Sequence, residues 1–128
     1  DEGPRPVSRT AHGSAAEAAA VAWLQRQGLQ LLVRNYKTPG RGGGEIDAIM
    51  RAADGTLVFV EVRVRANSRH GGAAASIGSV KQRRIIHAAQ QFLQRFPEMP
   101  PCRFDVMACD QPGPPWQWTW IVAAFDAA

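Results

Sequence analysis

Two acids interrupt two apolar strands, and few folds accommodate that. Asp47 lies within Glu45-Ile46-Asp47-Ala48-Ile49, and Glu61 within Val58-Phe59-Val60-Glu61-Val62-Arg63. Strand interiors avoid Asp and, less strongly, Glu. A carboxylate rarely enters a core unless it is paired or bound to a metal. The turn between the two strands decides how the acids meet. A two-residue Asp54-Gly55 turn would set Asp47 opposite Val62 and Ile46 opposite Arg63. A three-residue loop, Ala53-Asp54-Gly55, sets Asp47 opposite Glu61, Ile46 opposite Val62, Ala48 opposite Val60 and Met50 opposite Val58. Directly opposed residues share a face, so only the second register separates an apolar face from a mixed one. Glycine in the third loop position also suits a type I turn followed by a positive-φ bulge residue. The expectation is therefore a pair of adjacent carboxylates on one face, with Glu45 opposite Arg63.

The rest of the chain reads as one domain built around that hairpin. Residues 1–13 carry Pro, Gly, Ser and charge without periodicity and read as a flexible N-terminal arm; residues 14–128 form a single domain. Ser14-Ala15-Ala16-Glu17 fits a capping box that opens a first helix, and Gly28 closes it. Leu29 to Tyr36 reads as a strand, 38–44 as a glycine-rich loop, Glu45 to Ala52 and Thr56 to Arg65 as the hairpin. A small-residue loop leads to a second capping box, Ser79-Val80-Lys81-Gln82, and a helix with Ile85, Ile86, Ala89, Phe92, Leu93 and Phe96 at helical spacing before Pro97. Arg103 to Cys109 and Trp116 to Phe125 complete the chain as strands. The order αβββαββ predicts an α/β fold with a mixed sheet of about five strands flanked by helices.

Charge is distributed unevenly. Fifteen Lys and Arg stand against eleven Asp and Glu, a net charge of +4. No acid lies between Glu61 and Glu98, a stretch that holds Arg63, Arg65, Arg69, Lys81, Arg83, Arg84 and Arg95. A solvated basic helix face and a phosphate-binding face fit this equally well. Cys102 and Cys109 stand at a spacing unsuited to a disulfide within one strand, which favours reduced core thiols and a cytoplasmic protein. The three His show no zinc-ligand spacing. No apolar run is long enough to span a membrane, and no signal peptide is visible. Trp116, Trp118 and Trp120 fall on one side of the last strand. They are open to core packing, base stacking or a homodimer patch.

Two adjacent carboxylates repel when ionised. A divalent cation compensates them best, since Mg²⁺ takes one or two carboxylates and completes its shell with water and phosphate oxygens. Arg63, two residues beyond Glu61, points to the same face. Asp47 followed by Glu61-Val62-Arg63 resembles the PD-(D/E)xK nuclease pattern. The likeness is closer still to the YraN-like bacterial family, which has a restriction-endonuclease-like fold. It rests on Ala16-Glu17, Arg34-Asn35-Tyr36, Gly44-Glu45-Ile46-Asp47, Phe59-Val60-Glu61-Val62-Arg63, Lys81-Gln82-Arg83-Arg84 and Arg103-Phe104-Asp105-Val106, and covers residues 13–125.

The resemblance implies a Mg²⁺- or Mn²⁺-dependent nuclease acting on nucleic acid, DNA above all. Asp47 and Glu61 would be metal ligands and Glu17 a third acid at the site; as the Glu of a capping box, Glu17 has an equal alternative. Arg63 stands where the family usually has Lys. Arginine stays charged and binds bidentately, so it can hold phosphate but cannot act as a general base. Lys81, at the start of the second helix, could supply the amine, against the simpler reading of a solvated helix residue. Lys81, Arg83, Arg84, Arg65 and Arg41 are the candidate nucleic-acid contacts. Asp105 reads as a structural ion-pair residue, with Arg103 or the sheet edge as partner, in preference to a metal ligand. Two other readings stay open: a non-catalytic nucleic-acid-binding module with a degenerate site, and an interaction or scaffold domain.

Overall fold

A computed structural model describes residues 9–40, 43–64, 77–111 and 113–127, with the side chains of 9–12 set aside. Arg41 and Arg65 lie outside the described residues. The elements are α1 (Arg9–Arg26), β1 (Gln30–Lys37), β2 (Glu45–Arg51), β3 (Leu57–Val64), α2 (Ser79–Leu93), β4 (Cys102–Cys109) and β5 (Thr119–Phe125). Their order is the αβββαββ that the sequence predicts. They form one five-stranded sheet in the order β1-β2-β3-β4-β5. The β3–β4 pair is parallel and the other three are antiparallel. A parallel pair needs a crossover, and α2 lies on it.

Strand alternation sends apolar side chains to both faces of the sheet. Leu57 and Phe59 face α2, with Ile85, Ala89, Phe92 and Phe104. Val58 and Val60 face α1, with Ala20, Val21, Leu24 and Met107. Rings organise the α2 side: Phe59 stacks on Phe104 at 5.4 Å between centroids, and Tyr36 meets Phe92 edge-on at 5.4 Å. Arg95 covers the Phe92 ring at 4.0 Å.

The β2–β3 turn takes the three-residue form. Ala52 donates to the Thr56 carbonyl at 2.9 Å, and Gly55 (φ 93°) donates back to Ala52. The resulting register pairs Ala48 with Val60 and Met50 with Val58.

Both capping boxes prove wrong. α1 runs through Ser14 from Arg9, so residues 9–13, read as part of the arm, are helical. Gly13 weakens a helix by about 1 kcal/mol relative to alanine but does not stop one supported by its flanking alanines and by packing. Ser79 is the first helical residue of α2, not its cap. Gly78 caps it in extended conformation without a side-chain bond, while the Gln82 amide reaches the Ile77 carbonyl at 3.1 Å. The last strand is also shorter than predicted. Pro114 and Pro115 have no N–H to give a ladder, and pairing starts at Thr119. Trp116 and Trp118 precede the strand and stack at 5.6 Å, while Trp118 and Trp120 pack on the α1-side core. Trp120 also meets Trp23 edge-on.

Asp105 is fully buried and structural. The Arg103 Nε–H bonds both its oxygens at 3.1 and 3.2 Å, Trp120 Nε1 donates at 2.9 Å and the Ala123 amide at 2.9 Å. It thereby holds the β4–β5 irregularity, where Ala123 adopts φ 52°.

Candidate functional site

The acids meet where β2 changes sides. Asn35 of β1 sits in the left-handed region at φ 54°, a conformation that asparagine adopts more readily than other non-glycine residues. Residues flanking a regular strand position share a face, but here they do not. Arg34 reaches Glu17 on α1, while Tyr36 packs against Phe92 on α2. Their partners follow: Ala48, opposite Arg34, joins the α1-side core, and Ile46, opposite Tyr36, joins the α2-side core. Asp47 is the pivot between them. The β2–β3 ladder runs as far as Ala48 and Val60, and the same register carried one step further sets Asp47 opposite Glu61. At that point the Val62 N–H donates to Asp47 Oδ2 at 2.8 Å. A side chain thus takes up a main-chain donor beside the last ladder pair.

Both acids are buried, Asp47 at 8% exposure and Glu61 at 3%. Lys81 Nζ approaches Glu61 Oε2 at 3.3 Å, and Arg63 Nη1 lies 3.9 Å from the same oxygen. Glu61 Oε1 is buried without a hydrogen-bond partner. Burial first, and then the Asp47 charge, push the Glu61 carboxyl up to about 8, against the pull of Lys81. Burial raises Asp47 too, opposed chiefly by the Val62 N–H. Glu17 is raised by burial and by Asp47, and Arg34 Nη2, 3.4 Å from its Oε1, opposes the rise. Lying well inside α1, Glu17 is not a capping residue. It is the third acid of a chain that runs from α1 through Asp47 to Glu61.

The position of α2 follows from a glycine. A Cβ on Gly44 would run into the Arg84 carbonyl, so only glycine lets the helix lie this close to the start of β2. Thr38 Oγ1 accepts the Gly44 N–H at 2.7 Å, which joins the end of β1 to the start of β2. That approach brings Lys81 to Glu61. Lys81 is thus partly solvated, with 39% of its side chain exposed, and also paired with Glu61. Arg83, Arg84 and His87 remain on the exposed face of α2, and Glu45 pairs with Lys37 at 3.8 Å. Arg34 and Asn35 were legible only as part of a motif. Their work at the site depends on one backbone angle that no pattern of residue types encodes.

A family model described as "Uncharacterised protein family UPF0102" matches residues 16–109. The chain belongs to this family. The match contains Glu17, Asp47, Glu61, Arg63 and Lys81. A UPF0102 protein of Polaromonas naphthalenivorans (strain CJ2) is 54% identical over 130 residues, covering 98% of this chain and 85% of that protein. Another from Albidiferax ferrireducens is 62% identical over 115 residues, covering 90% of this chain and 87% of that protein. No helix among the described residues is long and apolar enough to cross a membrane.

Proposed function

We propose that this protein hydrolyses phosphodiester bonds of nucleic acid, DNA above all, with a divalent cation held by Asp47 and Glu61. One observation carries the reading. Glu61 Oε1 is buried without a hydrogen-bond partner beside a second buried carboxylate, a position open to a proton or a cation, while a lysine engages the other Glu61 oxygen. Among the described residues no three His, Cys, Asp or Glu are placed to hold an ion together. The fitting donor set is therefore the Asp47–Glu61 pair completed by water and phosphate oxygens, which is what Mg²⁺ or Mn²⁺ asks of a protein. Glu17 would act behind Asp47. When bound, such a cation polarises a phosphoryl oxygen and makes a water nucleophilic at neutral pH.

The chain's own groups supply the rest. The Val62 N–H fixes the orientation of Asp47. Lys81 places a positive charge where an oxyanion would develop, a role a main-chain-anchored helix performs without reorganisation. Arg63 can fork two phosphate oxygens from the adjacent strand position, and Arg83 and Arg84 offer charge to the flanking backbone. With Mg²⁺ or Mn²⁺, purified protein should cut single-stranded, duplex or branched DNA. Cutting should vanish in Asp47→Ala and Glu61→Ala, and fall on the order of a hundredfold in Lys81→Ala. Equal cutting by both acid variants would sink the proposal.

A second reading, a nucleic-acid-binding module without turnover, has its own observation. Lys81 and Arg63 both lie against Glu61 Oε2 and offset its charge without a metal. Arg63→Lys separates the two. Cleavage gained from an inert parent would mark a disabled site, whereas activity already present and little changed would favour the enzyme.

A further inference from the structure

Near the acids, the end of β1, the start of β2 and the first turns of α2 border a cleft of about 320 Å³ lined by Lys37, Thr38, Gly43, Gly44, Glu45, Lys81, Arg84 and Ile85. Three of those side chains are cationic and one is acidic. Lys81 forms part of its wall and also contacts Glu61 at 3.3 Å, so one side chain joins the cleft to the carboxylate pair, neither of which lines it. Arg84 is exposed and has no ion-pair partner among the described residues, and Lys37 makes only an exposed 3.8 Å contact with Glu45. Both cations are available to an anion at small cost. Gly44 abuts the Arg84 main chain and its N–H bonds Thr38 Oγ1, which sets the two sides of the cleft against each other.

The geometry points to this cleft as a subsite for one nucleotide unit of a single-stranded nucleic acid, gripped by its sugar–phosphate backbone next to the bond at the carboxylate pair. This rests on nucleic acid being the ligand and goes beyond it in naming the form. The volume lies at the lower end of small-ligand pockets, enough for a nucleotide unit and too little for a paired, stacked helix. Lys37, Lys81 and Arg84 are set to neutralise phosphate charge. No aromatic ring lines the cleft, so the stacking that anchors bases in many single-strand sites is missing there, and base edges are not read.

The test is fluorescence anisotropy in EDTA with a labelled oligothymidylate of about 12 nucleotides, within the usual range of single-strand site sizes. Full-length protein should bind it more tightly than a blunt duplex of the same length, and a mixed-sequence strand should bind equally well. The double variant Lys37→Ala/Arg84→Ala should weaken binding on the order of tenfold and flatten the salt dependence by roughly 1.4, about 0.7 for each lost phosphate contact. Arg51→Ala, which removes one positive charge at the far end of β2, should change neither. Equal binding by the double variant, or a preference for duplex, would overturn the subsite, and the proposed hydrolysis would still stand if Glu61→Ala abolished cutting. Binding that depends on Lys37 and Arg84 without any cutting by the parent would keep the subsite and remove the hydrolysis.

Discussion

Burial of Glu61 carries a thermodynamic signature in the metal-free protein. A carboxyl whose folded value is about 8, against an ordinary 4.5, binds a proton more tightly folded than unfolded. Between those two values the native state holds more protons than the unfolded chain, so stability falls as pH rises. The fall begins near 4.5 and is complete above about 8. Its ceiling is about 5 kcal/mol, and a measured loss of roughly 2–5 kcal/mol is expected once water reaches the cleft. Asp47 and Glu17 are raised in the same sense and add to the slope. Glu61→Gln removes the ionisation and keeps the shape. In EDTA-treated protein, urea unfolding at pH 5, 7 and 9 should show the parent losing stability across the series. The variant should lose far less and be the more stable of the two at pH 9. Parent stability that stays flat or rises from pH 5 to 8 would refute the argument, because it would mean that Glu61 is ionised at little cost.

Gly44→Ala should push α2 off the start of β2. It should destabilise the fold by about 1–3 kcal/mol in denaturant titration, as overpacking does, and lower any cleavage by drawing Lys81 from Glu61. Asp105→Asn keeps the volume but weakens the charge-assisted bonds from the partly exposed Arg103, Trp120 Nε1 and the Ala123 amide. It should cost about 1–3 kcal/mol in thermal unfolding while leaving any metal binding at Asp47 and Glu61 intact.

Local pattern made the hairpin legible. Hydrophobic matching across β2 and β3 admits one good register, and Gly55 has the positive φ that the three-residue loop requires, so the meeting of Asp47 with Glu61 could be read from residue types. Asp105 was legible for a similar reason, since an acid inside a strand needs a partner and Arg103 stands two residues away on the same face. Lys81 was not. Its place at Glu61 depends on how closely a crossover helix approaches the sheet, which Gly44 decides from far along the chain. Nor was the side-switch at Asn35 and Asp47: asparagine tolerates positive φ, but its presence in a strand does not say that the chain turns there. The capping boxes misled because Ser-x-x-Glu and Ser-x-x-Gln are short motifs: α1 extends through the first, and α2 starts at Ser79 itself with Gly78 as its cap.

Isothermal calorimetry of Mn²⁺ against EDTA-stripped protein at pH 7 tests the carboxylate pair most directly. Saturable binding with proton release is expected in the parent, because a largely protonated Glu61 must ionise to take the ion. Asp47→Asn and Glu61→Gln should each abolish it. Absence of binding in the parent, or binding unchanged in both variants, would contradict a metal site at Asp47 and Glu61.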